Sequence, residues 1–528
     1  MHGVPNDPPS PVRSSVVFYL NGKRQTASGD TLHLTLADWL RRHRGLVGTK
    51  VMCNEGDCGA CSLLVGRTMA DQATGLRYQA VDACIVFVFQ IDRCHVVTVE
   101  GLATSRNAAG NIANNDLTAI QQAMVDCHGS QCGYCTPGFI MTMHALVESD
   151  QRLDDDAMRY GLSGNLCRCT GYVQILEAGR RAAEQIASDP ARQKIRLADR
   201  FDEAAMIADF RSLGSSPIES AGSHRTFIPQ TIRQACQYRA AYPDAICVAG
   251  GTDYGVLRNH HRLAASDVIC LGQVDSNNRS AETSGVQPSV RFQEIVVKDG
   301  RLMIGGGATW SVIERAVAEL APEYHHILTR FGSPQIRNMG TIGGNLASGS
   351  PIADSVPFHL VLDTELGLAS VRGLRRVRLE DFYLGYRQTA LEPDELIVSI
   401  QTRLPKENER LRLFKISKRR DMDISTVTFA ILANIANDQI VDAKVAVGGV
   451  GPQVMRMAPA EAFLRGKAWS PDTLRDAGRM MRQHITPWTD VRGGADYRRQ
   501  LVENLMIKSY YPSESSITSD KVRGDDES

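Results

Sequence analysis

The feature that most constrains this chain is a cysteine motif in its first third. Cys53, Cys58 and Cys61 have the spacing C-x4-C-x2-C, and Cys84 follows downstream. This is the plant-type spacing for a 2Fe–2S cluster, in which three thiolates on one tight loop close around the iron and a fourth, expected here on a strand, completes the site. Glycines in the loop let backbone N–H groups approach the sulfurs. Zinc quartets favour two C-x2-C pairs, so a structural zinc site or buried free thiols are the weaker alternatives.

A second quartet follows with a different spacing. Cys132 and Cys135 form a C-x2-C pair, and Cys167 and Cys169 form a C-x-C pair. Taken alone, this pattern also suits zinc, which stays an open alternative. The cysteines precede helical patterns, and helix N-termini favour anionic groups such as a thiolate cluster. We therefore predict a second iron–sulfur cluster.

The remaining composition limits the class of protein. Ten of the thirteen cysteines lie between Cys53 and Cys169, and an odd count in so long a chain favours thiols or metal ligands over a disulfide framework. Cys94 and Cys127 lie outside both spacings and are expected to be packed thiols. The 59 basic and 59 acidic residues give no excess charge for binding nucleic acid.

The sequence also bears on location. We find no apolar run long enough to cross a bilayer, and the proline-rich N-terminus lacks the regions of a signal peptide. We therefore expect a cytoplasmic protein with no membrane span.

Local patterns in the first third predict a small α+β unit. Val16–Leu20 followed by Asn21-Gly22 predicts a β-hairpin with a type I′ turn. Thr35 to Arg42 predicts a short helix, and Leu63–Val65 and Ile85–Phe89 have the branched and aromatic residues of strands.

From about residue 115 the apolar period becomes helical and predicts four helices in a small bundle. One of these helices begins near Pro137, with Thr136 as its expected N-cap.

Three motifs together resemble the iron–sulfur portion of the molybdenum hydroxylases. They are Cys-Asn-Glu-Gly-Asp-Cys-Gly-Ala-Cys, Gln-Cys-Gly-Tyr-Cys-Thr-Pro-Gly and Cys-Arg-Cys-Thr-Gly-Tyr, and the resemblance covers residues 14 to 185. It implies a β-grasp ferredoxin-like domain over 14–95 and a four-helix iron–sulfur domain over 96–188, each with one 2Fe–2S cluster. It also implies that the helical-domain cluster lies nearer the molybdenum cofactor and that Gln131 faces the pterin.

Two glycine-rich segments mark the second half, and no G-x-G-x-x-G motif follows a strand there. Consecutive N–H groups at such loops form anion-binding nests suited to a pyrophosphate. Their order and separation resemble the FAD-binding domain of the same family. The residues that this resemblance assigns to FAD are Cys247, Val248, Ala249, Gly250, Gly251, Thr252, Asp253, Tyr254, Phe331, Thr341, Ile342, Gly343, Gly344, Asn345, Asp354, Ile397 and Lys415.

Three of these assignments have structural alternatives that the sequence leaves open. Phe331 also fits an ordinary core residue, Asp354 a helix N-cap, and Lys415 a solvated strand residue. None of the three alternatives involves a cofactor.

The remaining boundaries complete a multidomain α+β architecture. A polar stretch over 189–225 predicts a linker, and an α+β FAD-binding domain is expected over 226–408. Residues 409–512 resemble the family's α+β flavoprotein C-terminal domain. Strands are expected over Val427–Ile435 and Ile440–Val447, with helices at Ala458–Arg465 and Tyr497–Lys508. The Ser-rich, charged segment 513–528 predicts a disordered tail.

The combination resembles the small iron–sulfur and FAD subunits of bacterial xanthine dehydrogenases. No molybdopterin-binding region is evident in the 528 residues, so the resemblance implies a molybdopterin-binding large subunit as partner, in an (αβ)2 heterotetramer. Electrons from hypoxanthine or xanthine would pass through the two clusters to FAD and then to NAD+. No catalytic residue of the molybdenum site is expected in this chain. The alternatives are the same subunit type in an aldehyde or N-heterocycle hydroxylase, and a zinc-binding scaffold.

Overall fold

The computed structural model describes residues 12–68, 75–102, 117–149, 154–188, 196–274 and 290–512. It divides into two compact units, which are described separately. The first unit comprises the described residues of Met1–Ala281 and Ser333–Gly340, and the second those of Glu282–Gly332 and Thr341–Ser528. The predicted tail 513–528 lies outside the described residues. Within the described ranges, no helix is long and apolar enough to cross a membrane.

The first unit begins with a five-stranded sheet and one helix. Their bounds are β1 Val16–Leu20, β2 Lys23–Ala27, α1 Leu36–His43, β3 Ser62–Thr68, β4 Leu76–Asp82 and β5 His95–Val97. The strand order is β2-β1-β5-β3-β4, with β5 parallel to β1. The predicted hairpin is confirmed, because Asn21 and Gly22 both have positive φ, 48° and 79°, as a type I′ turn requires. Thr35 caps α1 by accepting a hydrogen bond from the Asp38 N–H.

The prediction of a strand at Ile85–Phe89 is wrong. This segment forms a turn and a 3₁₀ helix at Val88–Gln90, and its five residues are all at most 3% exposed. Burial on all sides explains the apolar run, which by itself does not distinguish a strand from a buried turn. The sheet is completed by β5, which crosses the predicted boundary at residue 95.

Four helices follow, as predicted. They are α2 Ala119–Asp126, α3 Thr136–Glu148, α4 Asp155–Gly161 and α5 Val173–Ser188. The prediction of Thr136 as an N-cap is wrong by one residue, because Cys135 occupies that position and Thr136 is the first helical residue. The Thr136 hydroxyl donates to Ser130 Oγ instead, at 2.8 Å.

The segment predicted as a linker contains packed structure. Its described part includes α6 Glu203–Ser212 and β6 Ile218–Ser220. Met206, Ile207 and Phe210 of α6 belong to the same apolar core as the four-helix bundle. The linker prediction is therefore wrong for α6, because the polar composition of the segment outweighed the three apolar residues of one helix face.

The first unit continues with a second small sheet. Its further elements are β7 Thr226–Ile228, α7 Ile232–Ala241, β8 Ile246–Val248, α8 Thr252–Asn259 and β9 Val268–Cys270. The strand order is β6-β7-β9-β8, and β7, β9 and β8 are parallel. A tight turn at Gly250-Gly251 leads directly from β8 into α8.

The next part of the chain surrounds a five-stranded antiparallel sheet of the second unit. The elements are β10 Ile295–Lys298, β11 Arg301–Gly305, α9 Trp310–Ala316, α10 Pro322–Leu328, α11 Pro334–Arg337, α12 Ile342–Ala347, α13 Val356–Val361, β12 Glu365–Ser370, β13 Gly373–Arg378, β14 Tyr383–Gly385, β15 Gln388–Thr389 and β16 Leu396–Arg403. Helix α11 belongs to the first unit. The sheet order is β10-β11-β16-β12-β13, and its core includes Trp310, Tyr324 and Phe358.

The C-terminal part of the second unit is a four-stranded antiparallel sheet covered by helices. The elements are β17 Glu409–Ile416, β18 Val427–Ala436, β19 Gln439–Gly448, β20 Met455–Arg456, α14 Ala458–Leu464, α15 Pro471–His484 and α16 Ala495–Lys508. The two long strands and the two helices expected from the sequence are confirmed. Helix α15 was not predicted.

Candidate cofactor sites

The first cysteine quartet converges at one point of the first unit. The Cys53 sulfur is within hydrogen-bonding contact of the Cys58 and Cys84 sulfurs, and the Cys61 sulfur is in contact with that of Cys84. The expectation that Cys84 lies on a strand is wrong, because it lies in the turn that follows β4. The turn nevertheless brings its thiol to the other three.

The backbone of the Cys53–Cys61 loop is shaped around the sulfurs. Gly56 and Gly59 have φ of 72° and 63°, in the left-handed region that favours glycine. A Cβ on Gly59 would lie 2.3 Å from the Gly164 carbonyl oxygen. The Asp57 N–H donates to the Cys53 sulfur at 3.4 Å. Hydrogen bonds from the Cys58 and Cys84 thiols, and then from backbone N–H groups, hold the pKa of Cys53 far below that of a free thiol.

One buried carboxyl group beside this quartet was not predicted from the sequence. The Cys61 thiol donates to Asp82 Oδ1 at 3.7 Å, and Asp82 is 1% exposed. Burial, followed by the charge of Cys53, raises the pKa of Asp82 well above its usual value. Nothing in the local sequence distinguishes this aspartate from an exposed residue at a strand end.

The second quartet also converges. The Cys132 and Cys169 sulfurs are 3.5 Å apart, and the Cys135 and Cys167 thiols are in hydrogen-bonding contact. Cys132 and Cys169 are exposed, while Cys167 is buried. Helix α3 begins directly after Cys135 and helix α5 begins shortly after Cys169, as expected. Burial raises the pKa of Cys135 to about 12.

The two quartets offer a donor set made only of thiols. In the part of the chain that the structure describes, no group of three or more His, Cys, Asp or Glu side chains is arranged to hold a single metal ion, and this includes the two quartets. The sulfurs of each quartet instead contact one another directly. Four thiolates fit a 2Fe–2S cluster, as they also fit a four-cysteine zinc site. Cys94, outside both quartets, is fully buried and its thiol donates to the Asp92 carbonyl at 3.4 Å.

The loops that carry the two quartets touch directly. The Leu166 N–H, next to Cys167, donates to the Cys58 carbonyl at 2.9 Å. The Tyr134 hydroxyl, next to Cys135, donates to the Val51 carbonyl at 2.6 Å. Both bonds lie within the first unit, so the loops are joined by backbone as well as by side-chain contacts.

The predicted FAD residues fall in both units. Cys247–Tyr254 lies in the first unit, and the remaining residues lie in the second. In the first unit, Gly251 has φ of 76° and caps α8. A Cβ on Gly250 would lie 2.0 Å from the Met339 carbonyl oxygen, so this position admits no side chain. Val248 and Tyr254 belong to the apolar core, with Tyr254 5.1 Å from the Phe87 ring.

In the second unit, Thr341–Asn345 forms a tight turn into α12. The Gly344 N–H donates to Thr341 Oγ1 at 3.2 Å. A Cβ on Gly343 would lie 2.5 Å from the Gly306 carbonyl oxygen, whereas one on Gly344 would meet only Thr341 Oγ1, at 3.1 Å. Gly343 is therefore required by the protein's own packing. Gly344 has more room, so its lack of a side chain leaves backbone accessible to a ligand.

Two further predicted contacts lie in the apolar part of the second unit. The Phe331 ring is partly buried, with its centroid 4.9 Å from that of Trp310, as the core alternative expects. Ile397 lies on β16 and is 7% exposed.

The structure excludes the structural alternative for Asp354 and the one for Lys415. The N-cap of α13 is Ser355, so Asp354 is not the cap. Lys415 is 5% exposed and is not solvated. Its Nζ lies 2.5 Å from Asp354 Oδ2, and the Ser425 hydroxyl donates to Oδ1 of the same carboxylate. Both predicted FAD residues are thus partners of each other.

Comparison with known families matches three domain models. Residues 98–180 match a "[2Fe-2S] binding domain", and residues 222–406 match the "FAD binding domain in molybdopterin dehydrogenase". Residues 412–512 match the "CO dehydrogenase flavoprotein C-terminal domain".

Curated relatives cover nearly the whole chain. Xanthine dehydrogenase 1 of Arabidopsis thaliana is 28% identical over 94% of this chain and 39% of its own length. Xanthine dehydrogenase of Emericella nidulans is 29% identical over 95% of this chain and 39% of its own length. The chain therefore spans about two fifths of the length of these relatives. Among solved structures, quinoline 2-oxidoreductase from Pseudomonas putida 86 has a TM-score of 0.48 and 24% identity, over 54% of this chain and 94% of that one.

The three domain models, and the alignments that span at least 94% of this chain, agree with the cysteine motifs. The chain carries the 2Fe–2S and FAD electron-transfer domains of the molybdenum hydroxylase family.

Proposed function

We propose that this chain is the electron-transfer part of a xanthine dehydrogenase. It receives electrons from a molybdenum-containing part that oxidises hypoxanthine or xanthine to urate, and it delivers them to NAD+. The observation that carries the proposal is the pair of all-cysteine quartets on directly bonded loops, in a chain that also matches a molybdopterin-dehydrogenase FAD domain. The xanthine dehydrogenases aligned over at least 94% of the chain support the substrate.

Each quartet holds one 2Fe–2S cluster in this proposal. Cys53, Cys58, Cys61 and Cys84 hold the first, and Cys132, Cys135, Cys167 and Cys169 the second. Clusters of this kind carry single electrons and FAD exchanges them in pairs with NAD+, which explains the presence of both kinds of cofactor in one chain. Backbone N–H groups near the sulfurs tune the potential of the clusters, and the buried Cys61 and Cys84 add a less polar environment at the first one.

The FAD contacts are assigned to two glycine-rich turns and one ion pair. Gly344 and its neighbours in Thr341–Asn345 present backbone N–H groups suited to a pyrophosphate. The Cys247–Tyr254 turn is the second glycine-rich segment assigned to the dinucleotide. We assign Asp354 and Lys415 a supporting role through their ion pair, which fixes the strand and loop that bear them.

The second quartet faces the molybdenum-containing partner in this proposal. Its Cys132 and Cys169 are exposed, as is Gln131 beside them. Apolar side chains next to these segments are exposed as well, including Tyr134 at 41% and Val173 at 70%. The exposure of these cysteines and of the side chains next to them supports a partner-facing position for this quartet. We propose a molybdopterin-binding large subunit in an (αβ)2 heterotetramer, located in the cytoplasm.

The domain boundaries predicted from the sequence form part of this proposal. The ferredoxin-like domain at 14–95 and the helical domain at 96–188 supply the clusters. The FAD-binding domain at 226–408 and the C-terminal domain at 409–512 supply the flavin site.

The test separates electron transfer from substrate choice. The chain alone should pass electrons from NADH to an artificial acceptor but should not oxidise xanthine. The complex with its molybdenum-containing partner should reduce NAD+ with xanthine, and much more slowly with an aldehyde or an N-heterocycle. Faster turnover with an aldehyde or N-heterocycle would contradict the xanthine assignment. Xanthine oxidation by the isolated chain would contradict the division of labour.

A further inference from the structure

Helix α11, which belongs to the first unit, bears two buried polar side chains. Gln335 is 1% exposed and Arg337 is 2% exposed. Arg337 donates to the Tyr160 hydroxyl on α4 at 2.6 Å, and Asn338 donates to a carbonyl of β4 at 2.9 Å. The segment Ser333–Gly340 therefore contacts both the ferredoxin-like sheet and the helical bundle.

Gln335 contacts both of the loops that carry the quartets. Its Nε2 donates to Ser62 Oγ at 3.0 Å, and Ser62 follows the ligand Cys61 in the chain. The same Nε2 donates to Asn165 Oδ1 at 3.0 Å, and Asn165 precedes the ligand Cys167 by two residues. A longer bond of 3.4 Å reaches Thr142 on α3.

A backbone carbonyl fixes the orientation of the Asn165 amide, and through it that of the Gln335 amide. The Asn165 Nδ2 donates to the Gly59 carbonyl at 3.0 Å, and a carbonyl oxygen can only accept. Asn165 Oδ1 must therefore face a donor, which is the Gln335 NH2 group. Among the described residues, Gln335 Oε1 has no hydrogen-bond partner although it is buried. Only the donors of the Gln335 amide therefore form hydrogen bonds.

The residues around this hydrogen-bond network are closely packed. A Cβ on Gly164 would lie 2.0 Å from Gln335 Oε1. Beside the network, the Leu166 N–H donates to the Cys58 carbonyl, which is the direct backbone link between the two loops. A displacement of either loop would break bonds in both.

We propose that Gln335 is a positioning residue for electron transfer between the two clusters. Its amide holds the loop of Cys58 and Cys61 against the loop of Cys167, and so fixes the separation of the two sites. This inference rests on the proposed function in one respect, that both quartets hold 2Fe–2S clusters. It does not depend on the substrate or on NAD+.

The test uses the full chain with its cofactors and measures the magnetic interaction between the two reduced clusters by electron paramagnetic resonance. Gln335→Met keeps the size of the side chain and removes the donors. It should change or abolish the interaction and slow electron transfer between the clusters. The iron content and the g-values of each separate cluster should stay as in the wild type. Gln335→Asn keeps an amide with a shorter reach and should have the same effect to a smaller degree.

Thr142→Val is the matched control, because it removes a bond partner of Gln335 that belongs to neither loop. It should leave the interaction unchanged. An unchanged interaction in both Gln335 variants, with full iron content, would overturn the proposal. A wild-type chain with only one cluster signal would overturn the assignment of the quartets, and the positioning role with it. The two failures are therefore distinguishable.

Discussion

Lys415 and Asp354 form a buried ion pair in the second unit, with Nζ 2.5 Å from Oδ2 and side chains only 2% and 6% exposed. Ser425 completes the site by donating its hydroxyl to the other carboxylate oxygen. Removing one partner of such a pair leaves an uncompensated buried charge, which is more costly than removing both.

We therefore predict that Lys415→Met lowers the free energy of unfolding of the second unit by about 3–5 kcal/mol. It should also lower FAD occupancy while both iron–sulfur signals remain. The double variant Lys415→Met with Asp354→Asn should be more stable than the single variant, because no charge is left unpaired. Denaturant unfolding of the three proteins measures the difference. Equal stability of the single variant and the wild type would show that the ion pair contributes nothing.

The two members of this pair show what sequence can and cannot establish. Both residues were assigned to the flavin site by the family resemblance, and each had a structural alternative that the structure excludes. Their mutual contact spans 61 positions in the chain. A contact at that separation depends on tertiary packing and leaves no local pattern.

The cysteine quartets were easier to predict, because most of their ligands lie on short loops with characteristic spacing. The strand predicted at Ile85–Phe89 failed because burial, rather than sheet pairing, selects its apolar residues. The burial of Gln335 could not be predicted, because nothing in Pro334-Gln335-Ile336-Arg337 distinguishes a buried glutamine from an exposed one.

A second prediction concerns the ligands of the two clusters. Cys58→Ser should remove the signal of one cluster and Cys135→Ser that of the other, because neither quartet has a spare thiol. Each variant should lose about half of the iron. Cys127→Ser is the control, since Cys127 lies outside both quartets and is only partly buried. Retention of both signals in Cys58→Ser or Cys135→Ser would contradict the assigned ligand sets.

The glycines of the Thr341–Asn345 turn give a third prediction. Gly344→Val should lower FAD occupancy with little effect on the fold, because a side chain there meets only Thr341 Oγ1. Gly343→Ala should instead destabilise the second unit, because its Cβ would lie 2.5 Å from the Gly306 carbonyl. Flavin absorbance and thermal unfolding of both variants provide the comparison. Full FAD occupancy in Gly344→Val would remove this turn from the flavin site.

The fourth prediction concerns acid stability of the second unit. His359 is fully buried between Tyr324 and Thr402, and burial lowers its pKa to about 3. In the unfolded chain the same imidazole has its ordinary pKa near 6.5. Between these values the unfolded state binds the extra proton, so stability falls as the pH falls below about 6.5, by roughly 1 kcal/mol per pH unit from this group.

His359→Gln, which keeps a polar side chain without a titratable ring, should reduce this acid sensitivity. The measurement is denaturant unfolding of wild type and variant at neutral pH and at mildly acidic pH. The variant should be less stable at neutral pH, with a smaller further loss on acidification. Parallel losses in the two proteins would mean that other groups control the acid response.

The most direct test of the account is the cofactor content of the chain purified without oxygen. The assigned quartets and flavin site predict about four iron atoms, an equal amount of acid-labile sulfide and one FAD per chain. Zinc without labile sulfide at either quartet, or a chain that binds no flavin under conditions where it is folded, would contradict it.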